Sequence, residues 1–183
     1  MWMIRGRQVE TASGDGGGVE VVLLPARTGR RRAADDVAFT AFFDSRHHAM
    51  LRLAGLLTGS SATAEEVVQE AFVRVYERWA SLDEPAAYLR VAVVNRCNSW
   101  HRRLRVARSH HSRFGLDPGV HLDRPDEMAD ALAQLAPRRR TVVVLRYYEH
   151  LTTAEIAEQM SISEATVRST LHRGLAQLKE ILR

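Results

Sequence analysis

The sequence predicts an all-α protein, built as two small helical domains joined by a flexible linker. From residue 37 onward, apolar residues recur at steps of three and four, which is the period of an α-helix. The pattern lapses over 106–126, where Gly, Pro, Asp, His and Arg are mixed as in a linker. We therefore expect a flexible basic tail at 1–34, a three- or four-helix domain at 35–105, the linker at 106–126 and a second helical domain at 127–183.

Three helices are predicted in the first domain, at about 37–57, 63–80 and 86–105. The first break is the Gly-Ser-Ser sequence at 59–61, and the second is the segment 81–85, which ends in Pro85. Glycine, serine and proline are typical of the points where helices stop and start.

The composition excludes several classes of protein. The chain is 45% hydrophobic, but its apolar runs are far too short to cross a bilayer, and no signal peptide is recognisable. The single cysteine, Cys97, excludes an intramolecular disulfide and a cysteine-based zinc cluster. We therefore expect a cytoplasmic protein that does not insert into a membrane.

The charges are unevenly distributed along the chain. Residues 35–85 carry 4 Arg and 9 acidic residues, whereas residues 86–116 carry 7 Arg and no acid. An acidic block followed by a basic block predicts two different partners, one basic and one anionic. Arginine also outnumbers lysine strongly, which fits phosphate and base contacts but equally fits a GC-rich coding sequence.

The second predicted helix has one buried apolar stripe and a separate acidic face. Glu66, Gln69 and Glu70 share that face. They indicate either a docking surface for a basic partner or ordinary solvent-facing polarity.

The third predicted helix has the opposite charge. Asparagine is a poor helix former, so two asparagines in mid-helix suggest a task beyond helix stability. Asn amides pair with exposed base edges, and neighbouring arginines hold phosphates; the alternative is a solvated basic helix. The polar set of this helix is Arg90, Asn95, Arg96, Asn98, Ser99, Arg102 and Arg103.

The second domain has the layout of a helix-turn-helix. Thr152 and Glu155 form a capping box that begins a short helix, and Ser163 caps a longer helix after a tight turn. The alternative is a plain helical hairpin with a solvated face. The inward positions of the longer helix are predicted to be Val167, Leu171, Leu175, Leu178 and Leu182. Its outward positions can donate hydrogen bonds to DNA, and they are Thr166, Arg168, Ser169, Thr170, His172 and Arg173.

Ahead of this motif, Pro137 is predicted to open another helix at its first turn, where the missing N–H costs nothing. The arginines at 138–140 follow it directly. From the sequence they either touch DNA backbone or are solvated, and both alternatives stay open.

These motifs resemble those of a known family. The runs AEEVVQEAF at 64–72 and YLRVAVVNR at 88–96 are similar to region 2 of the bacterial sigma-70 family. The runs LAPRRR at 135–140 and TVRSTLHRGL at 166–175 are similar to region 4. Since the chain has only these two regions and a short linker, it resembles the extracytoplasmic-function (ECF) group of that family.

The resemblance implies a role for each surface. In the family, the acidic face binds the β′ coiled coil of core RNA polymerase, which here implies Glu66, Gln69 and Glu70. The following loop and helix capture the opened minus-10 element of promoter DNA. The second helix of the helix-turn-helix reads the minus-35 element, and region 4 contacts the β flap.

The minus-10 residues implied are Ser81, Asp83, Arg90, Asn95, Arg96, Asn98, Ser99, Arg102 and Arg103. The minus-35 residues implied are Thr166, Arg168, Ser169, Thr170, His172 and Arg173. The linker, with Arg105, Arg108 and Arg113, is implied to run toward the active-site cleft of the polymerase.

This interpretation needs no catalytic residue, metal or cofactor in the chain itself, and it implies an anti-sigma factor as a further partner. One alternative is a stand-alone helix-turn-helix transcriptional regulator. Another is a metal-dependent nuclease, which the histidine spacing does not favour because it lacks a pattern such as H-E-x-x-H. The histidines concerned are His47, His48, His101, His110 and His111.

Overall fold

The computed structural model describes residues 29–110 and 127–183, and over these residues the chain is helical, with no strand. The all-α prediction is therefore confirmed. The first domain contains α1 (Gly29–Thr58), α2 (Ser61–Arg78), a 3-10 turn (Trp79–Ser81) and α3 (Pro85–His110). The second contains α4 (Glu127–Ala133), α5 (Pro137–Tyr147), α6 (Thr153–Met160) and α7 (Glu164–Ile181).

Two helices are longer than the sequence pattern predicted. α1 begins at Gly29, inside the segment expected to be a tail, and α3 continues to His110, inside the expected linker. Neither extension contains a proline, and the extension of α1 at 29–36 is mostly arginine and alanine, which are good helix formers. The rest of the predicted tail and the predicted linker at 111–126 lie outside the described residues.

The first domain is a three-helix unit whose core is drawn from each helix. Ser60 begins α2, where its hydroxyl accepts a hydrogen bond from the backbone N–H of Thr63 at 3.3 Å. Aromatic rings fill the end of the core nearest the 3-10 turn, and Phe39 meets Trp79 edge to face at 5.3 Å. The largest fully buried side chains of this domain are Leu53, Leu57, Val68, Val75, Leu89, Val93 and Val94.

The second domain is organised around α5, which packs against both α6 and α7. α7 lies very close to α5 at Gly174, where a Cβ would come within 2.9 Å of Val143 Cγ2. This close approach sets which side of α7 is buried. Leu175 and Leu182, predicted to face inward, are 37% and 46% exposed because they flank the stripe that runs through Gly174. The inward stripe contains Val167, Leu171, Gly174, Leu178 and Ile181.

The two domains are in direct contact through α4 and α5, which pack against α1 and α3. Arg140 is central to this contact: its side chain is only 6% exposed, and Nη1 donates to the backbone oxygen of Leu57 at 2.9 Å. Both alternatives left open for Arg140, backbone DNA contact and solvation, are therefore wrong. Of its neighbours, Arg138 is exposed, and Arg139 donates to Gln177 Oε1 at 2.8 Å.

None of the described helices combines the length and apolar character needed to cross a membrane.

Candidate nucleic-acid interface

The acidic face of α2 lies on the surface of the first domain. Glu66 and Gln69 are exposed, while the Glu70 carboxylate forms an ion pair with the Arg96 guanidinium of α3. The Glu70 side chain remains 41% exposed and that of Arg96 25%. The ion pair therefore joins the predicted polymerase-binding face to the predicted minus-10 surface.

A surface pocket of about 260 Å³ lies next to this ion pair, between α2 and α3. It combines two guanidinium groups, the Asn95 amide and the Tyr88 ring, which can hold a phosphate, pair with a base edge and stack on a base. The full lining is Arg74, Tyr88, Val91, Ala92, Asn95, Arg96 and Ser99. Three of the predicted minus-10 residues, Asn95, Arg96 and Ser99, are thus brought together.

Sequence reasoning missed Arg74 and Tyr88 as members of this pocket. The sequence could have indicated Arg74, because this residue lies four positions after Glu70 and therefore one turn further along the same face of α2. Tyr88 is placed by the first turn of α3, and the Arg78 guanidinium lies 5.8 Å from its ring centre.

Other predicted minus-10 residues face the second domain instead. Asn98 Oδ1 lies 3.2 Å from Thr141 Oγ1, whose single hydroxyl hydrogen also has the Pro137 backbone oxygen as an acceptor at 3.0 Å, and Arg90 pairs with Glu149 at 3.9 Å. Arg102 and Arg103, which lie in the C-terminal half of α3, are exposed to solvent.

The loop ahead of α3 carries the remaining two predicted minus-10 residues. Ser81 is exposed, and its hydroxyl donates to the backbone oxygen of Arg78 at 2.8 Å. Asp83 is exposed in the segment between the 3-10 turn and α3. Among the linker arginines, Arg105 is exposed, whereas the side chains of Arg108 and Arg113 lie outside the described part of the chain.

The helix-turn-helix has the geometry that its capping residues predicted. Glu155 N donates to Thr152 Oγ1 at 3.2 Å and Thr152 N donates to Glu155 Oε2 at 2.7 Å, which completes the capping box of α6. Hydrogen bonds from the side chain and the backbone of Thr152 lower the pKa of Glu155 below its ordinary value. Ser161 then turns the chain with a left-handed φ of 52°, and Ser163 caps α7.

The predicted minus-35 residues occupy one side of α7, but their side chains differ in solvent exposure and in their contacts. Arg168, His172 and Arg173 are exposed, whereas Thr166, Ser169 and Thr170 are half-buried. The Thr166 hydroxyl lies 2.8 Å from Ser163 Oγ. Arg168 is held along the helix by an ion pair with Glu164 at 3.0 Å. The exposed cations of this face are therefore the groups best placed to meet DNA.

The histidines do not assemble a metal site in the described residues, where no group of three or more His, Cys, Asp or Glu is placed to hold an ion. His101 Nε2 lies 2.8 Å from the backbone oxygen of Leu57, and His47 stacks on Phe43 at 4.6 Å. Both therefore have structural contacts. The side chains of His110 and His111 lie outside the described residues.

Comparison with known proteins agrees with this two-domain arrangement. Residues 42–106 match the family model for sigma-70 region 2, and residues 126–178 match that for sigma-70, region 4. The RNA polymerase sigma-E factor of Streptomyces coelicolor is 36% identical over 152 residues, which cover 79% of this chain and 85% of that protein. The ECF RNA polymerase sigma factor SigL of Mycobacterium tuberculosis is 30% identical over 170 residues, which cover 84% and 94%.

Two solved structures have the same fold at low sequence identity. The sigma factor RpoE from Bartonella quintana, solved with the anti-sigma factor NepR, gives a TM-score of 0.66 at 19% identity, covering 79% of this chain and 96% of that one. CnrH, solved with the cytosolic domain of CnrY, gives 0.58 at 22% identity, covering 82% and 90%.

The chain belongs to the extracytoplasmic-function group of the sigma-70 family. It is a transcription initiation factor that binds core RNA polymerase and directs it to promoters. Because both regions match in their expected order, the alternative of a stand-alone helix-turn-helix regulator is not favoured.

Proposed function

We propose that the acidic face of α2 is the surface that docks on the β′ coiled coil of core polymerase. Glu66, Gln69 and Glu70 present carboxylates and an amide that are accessible to a basic partner. Region 4 makes the second polymerase contact, on the β flap. The chain itself contributes no chemistry, since RNA synthesis takes place in the polymerase.

The pocket between α2 and α3 holds an unstacked base of the minus-10 element. Its combination of an amide, guanidinium groups and an aromatic ring is the observation that carries this assignment. Removing a base from the duplex stack costs a few kcal/mol, and a preformed pocket with arginine–phosphate contacts offsets that cost. The loop with Ser81 and Asp83 borders the entry to α3 and contacts the neighbouring nucleotides.

This assignment can be tested with reconstituted holoenzyme on forked promoter DNA, after start sites have been mapped by transcription of genomic fragments. We expect Asn95→Ala to weaken binding to the single-stranded minus-10 fork by about 5- to 100-fold, the range for one lost base contact. Gln134→Ala, which removes an exposed amide outside the pocket and likewise leaves the charge unchanged, serves as the matched control. Equal binding of the Asn95 variant and the wild type would contradict the pocket assignment.

The exposed side of α7 reads the minus-35 element, with Arg173 as the principal contact. If Arg173 reads a base, Arg173→Ala costs about 1–3 kcal/mol on the cognate element and little on other sequences. If it touches phosphate alone, the loss is similar on every sequence and shrinks at high salt. The matched control is Arg52→Ala, which removes one exposed arginine from α1, a helix that carries none of the predicted minus-35 residues. Unchanged binding of the Arg173 variant would contradict the assignment.

Two further parts of the proposed function concern regulation and location. One structural neighbour, the sigma factor RpoE, was solved with the anti-sigma factor NepR, which supports an anti-sigma factor as a partner of this chain. We place its activity in the cytoplasm, at the nucleoid when it is bound to polymerase. Co-purification of the tagged chain from cells tests the first point, since it should recover core polymerase and a second protein that blocks initiation in vitro, and fluorescence microscopy of the tagged chain tests the second.

A further inference from the structure

An open cavity lies where the C-terminal half of α3 faces the beginning of α5 and the turn between α6 and α7. Its volume is about 610 Å³, against about 260 Å³ for the pocket between α2 and α3, and the two share no lining residue. Small-molecule sites have volumes of this order and occur preferentially where two domains meet. The cavity is therefore a candidate site separate from the one assigned to the minus-10 element.

Three arginines bring positive charge to two walls of this cavity. Arg102 and Arg105 lie about one turn apart on α3, and Arg138 lies in the first turn of α5. All three are exposed, and no carboxylate of the described residues forms an ion pair with any of them. The cavity therefore offers several guanidinium groups to a ligand.

The rest of the polar lining does not offset this charge. It consists of the Asn98 amide and the His101 ring and includes no carboxylate. Like charges that are brought together repel one another, and an anion bound between them relieves that repulsion. Arginine can donate two parallel N–H groups to a phosphate, so a ligand with several phosphates can engage both walls at once.

The remaining wall of the cavity is apolar. Met160 and Ile162 contribute to it from the end of α6 and the turn that follows, and Pro137 and Leu104 border it. Pro137 is exposed, and the other three side chains are half-buried. Because covering such a surface removes it from water, a ligand that fits this cavity has an apolar or aromatic part beside its anionic part.

The lining differs from that of a groove for single-stranded nucleic acid. Such grooves carry aromatic side chains on which successive bases stack. The cavity is lined by no Phe, Tyr or Trp, whereas the pocket between α2 and α3 contains the Tyr88 ring. Flexible and branched aliphatic side chains at an enclosed end instead suit one compact ring system.

We propose that this cavity binds a nucleoside diphosphate or triphosphate. Its phosphates are held between Arg102, Arg105 and Arg138, and its base lies against Met160 and Ile162. Since the lining has no carboxylate to hold a metal ion, arginine alone balances the phosphate charge, and binding needs no Mg²⁺. Binding needs neither polymerase nor promoter, so it does not depend on the function proposed above.

The proposal is tested by isothermal titration calorimetry of the purified full chain with GTP and with ATP, in buffer that contains EDTA. We expect a single site per chain for a nucleotide. Inorganic tripolyphosphate should bind more weakly because it lacks the base, and guanosine should not bind detectably because it lacks the phosphates. A short single-stranded oligonucleotide should not displace the nucleotide.

Two variants remove a guanidinium from opposite walls of the cavity. Arg105→Gln and Arg138→Gln should each weaken nucleotide binding about tenfold or more, as for a lost hydrogen bond to a charged group. The matched control, Arg52→Gln, makes the same charge change at an exposed position of α1 outside the lining and should bind as the wild type does. Circular dichroism verifies that the variants remain folded.

A third variant tests the contact with the base. Met160→Gln keeps the length of the side chain but makes it polar, so it should weaken binding of the nucleotide severalfold and leave that of tripolyphosphate unchanged. Equal weakening of both ligands would overturn the placement of the base.

The other outcomes decide whether the site exists. Absence of nucleotide binding at millimolar concentration would overturn the proposal. Equal losses in Arg138→Gln and Arg52→Gln would also overturn it, because binding would then follow overall charge alone. Displacement of the nucleotide by the oligonucleotide would assign the cavity to a nucleic-acid strand instead.

Discussion

The ion pair between Glu70 and Arg96 allows the polymerase-docking assignment to be tested separately from stability. Because the Glu70 side chain is 41% exposed, solvent screens the pair, and we expect it to contribute about 0.5–1 kcal/mol to folding. Glu70→Arg removes that contribution and adds repulsion, so the melting temperature should fall by about 2–8 °C for a domain of this size. The same substitution should weaken binding to core polymerase at least tenfold, or about 1.4 kcal/mol.

The charge-swapped variant, Glu70→Arg with Arg96→Glu, separates the two effects. It re-forms the internal ion pair and should recover most of the lost melting temperature. It still presents a cation at position 70, so binding to core polymerase, measured by fluorescence anisotropy without DNA, should remain weak and depend on salt. Recovery of polymerase binding in the swapped variant would refute the docking role and leave Glu70 as a residue that positions Arg96.

Three further outcomes follow from the packing and the titrating groups. Gly174→Ala should lower the free energy of unfolding of the second domain by about 1 kcal/mol in denaturant titration, since overpacking against Val143 exceeds the gain in helix propensity; an unchanged midpoint would contradict the close approach. The lowered pKa of Glu155 means that its capping contribution is present when the carboxylate is charged and is lost as the pH falls through the folded pKa. The loss of melting temperature on acidification should therefore be shallower in Glu155→Gln, and parallel curves would refute this. The Cys97 thiol, with its pKa raised to about 12 by burial, should react with a chromogenic disulfide reagent at neutral pH only on unfolding; reaction at the rate of an exposed thiol would contradict its burial.

Local signals predicted the second domain well. The capping box of Thr152 and Glu155, the cap at Ser163 and the helix start at Pro137 all depend on residues close in sequence, and all are present. The burial of α7 was predicted less well, because the choice between Leu175 and Gly174 as a buried position depends on how closely α5 approaches.

Contacts between distant segments were the main features that the sequence pattern could not predict. A basic triplet such as that at 138–140 predicts a segment on the surface. Nothing nearby in the sequence indicates that Arg140 is buried against a backbone carbonyl 83 residues away. The candidate pocket was predicted in part, because Asn95 and Ser99 lie one turn apart on α3. Its other wall comes from α2, and the register of α2 against α3 is set by tertiary packing.

The guanidinium that closes the end of α1 has a consequence for protein engineering. A chimera that exchanges the second domain of one such factor for that of another assumes that the two halves are independent modules. In this chain the acceptor at Leu57 and the donor at Arg140 belong to different halves. A graft that brings a foreign second half without a matching arginine leaves His101, from the same half, as the side chain on that acceptor, and it removes a hydrogen bond that joins the two halves.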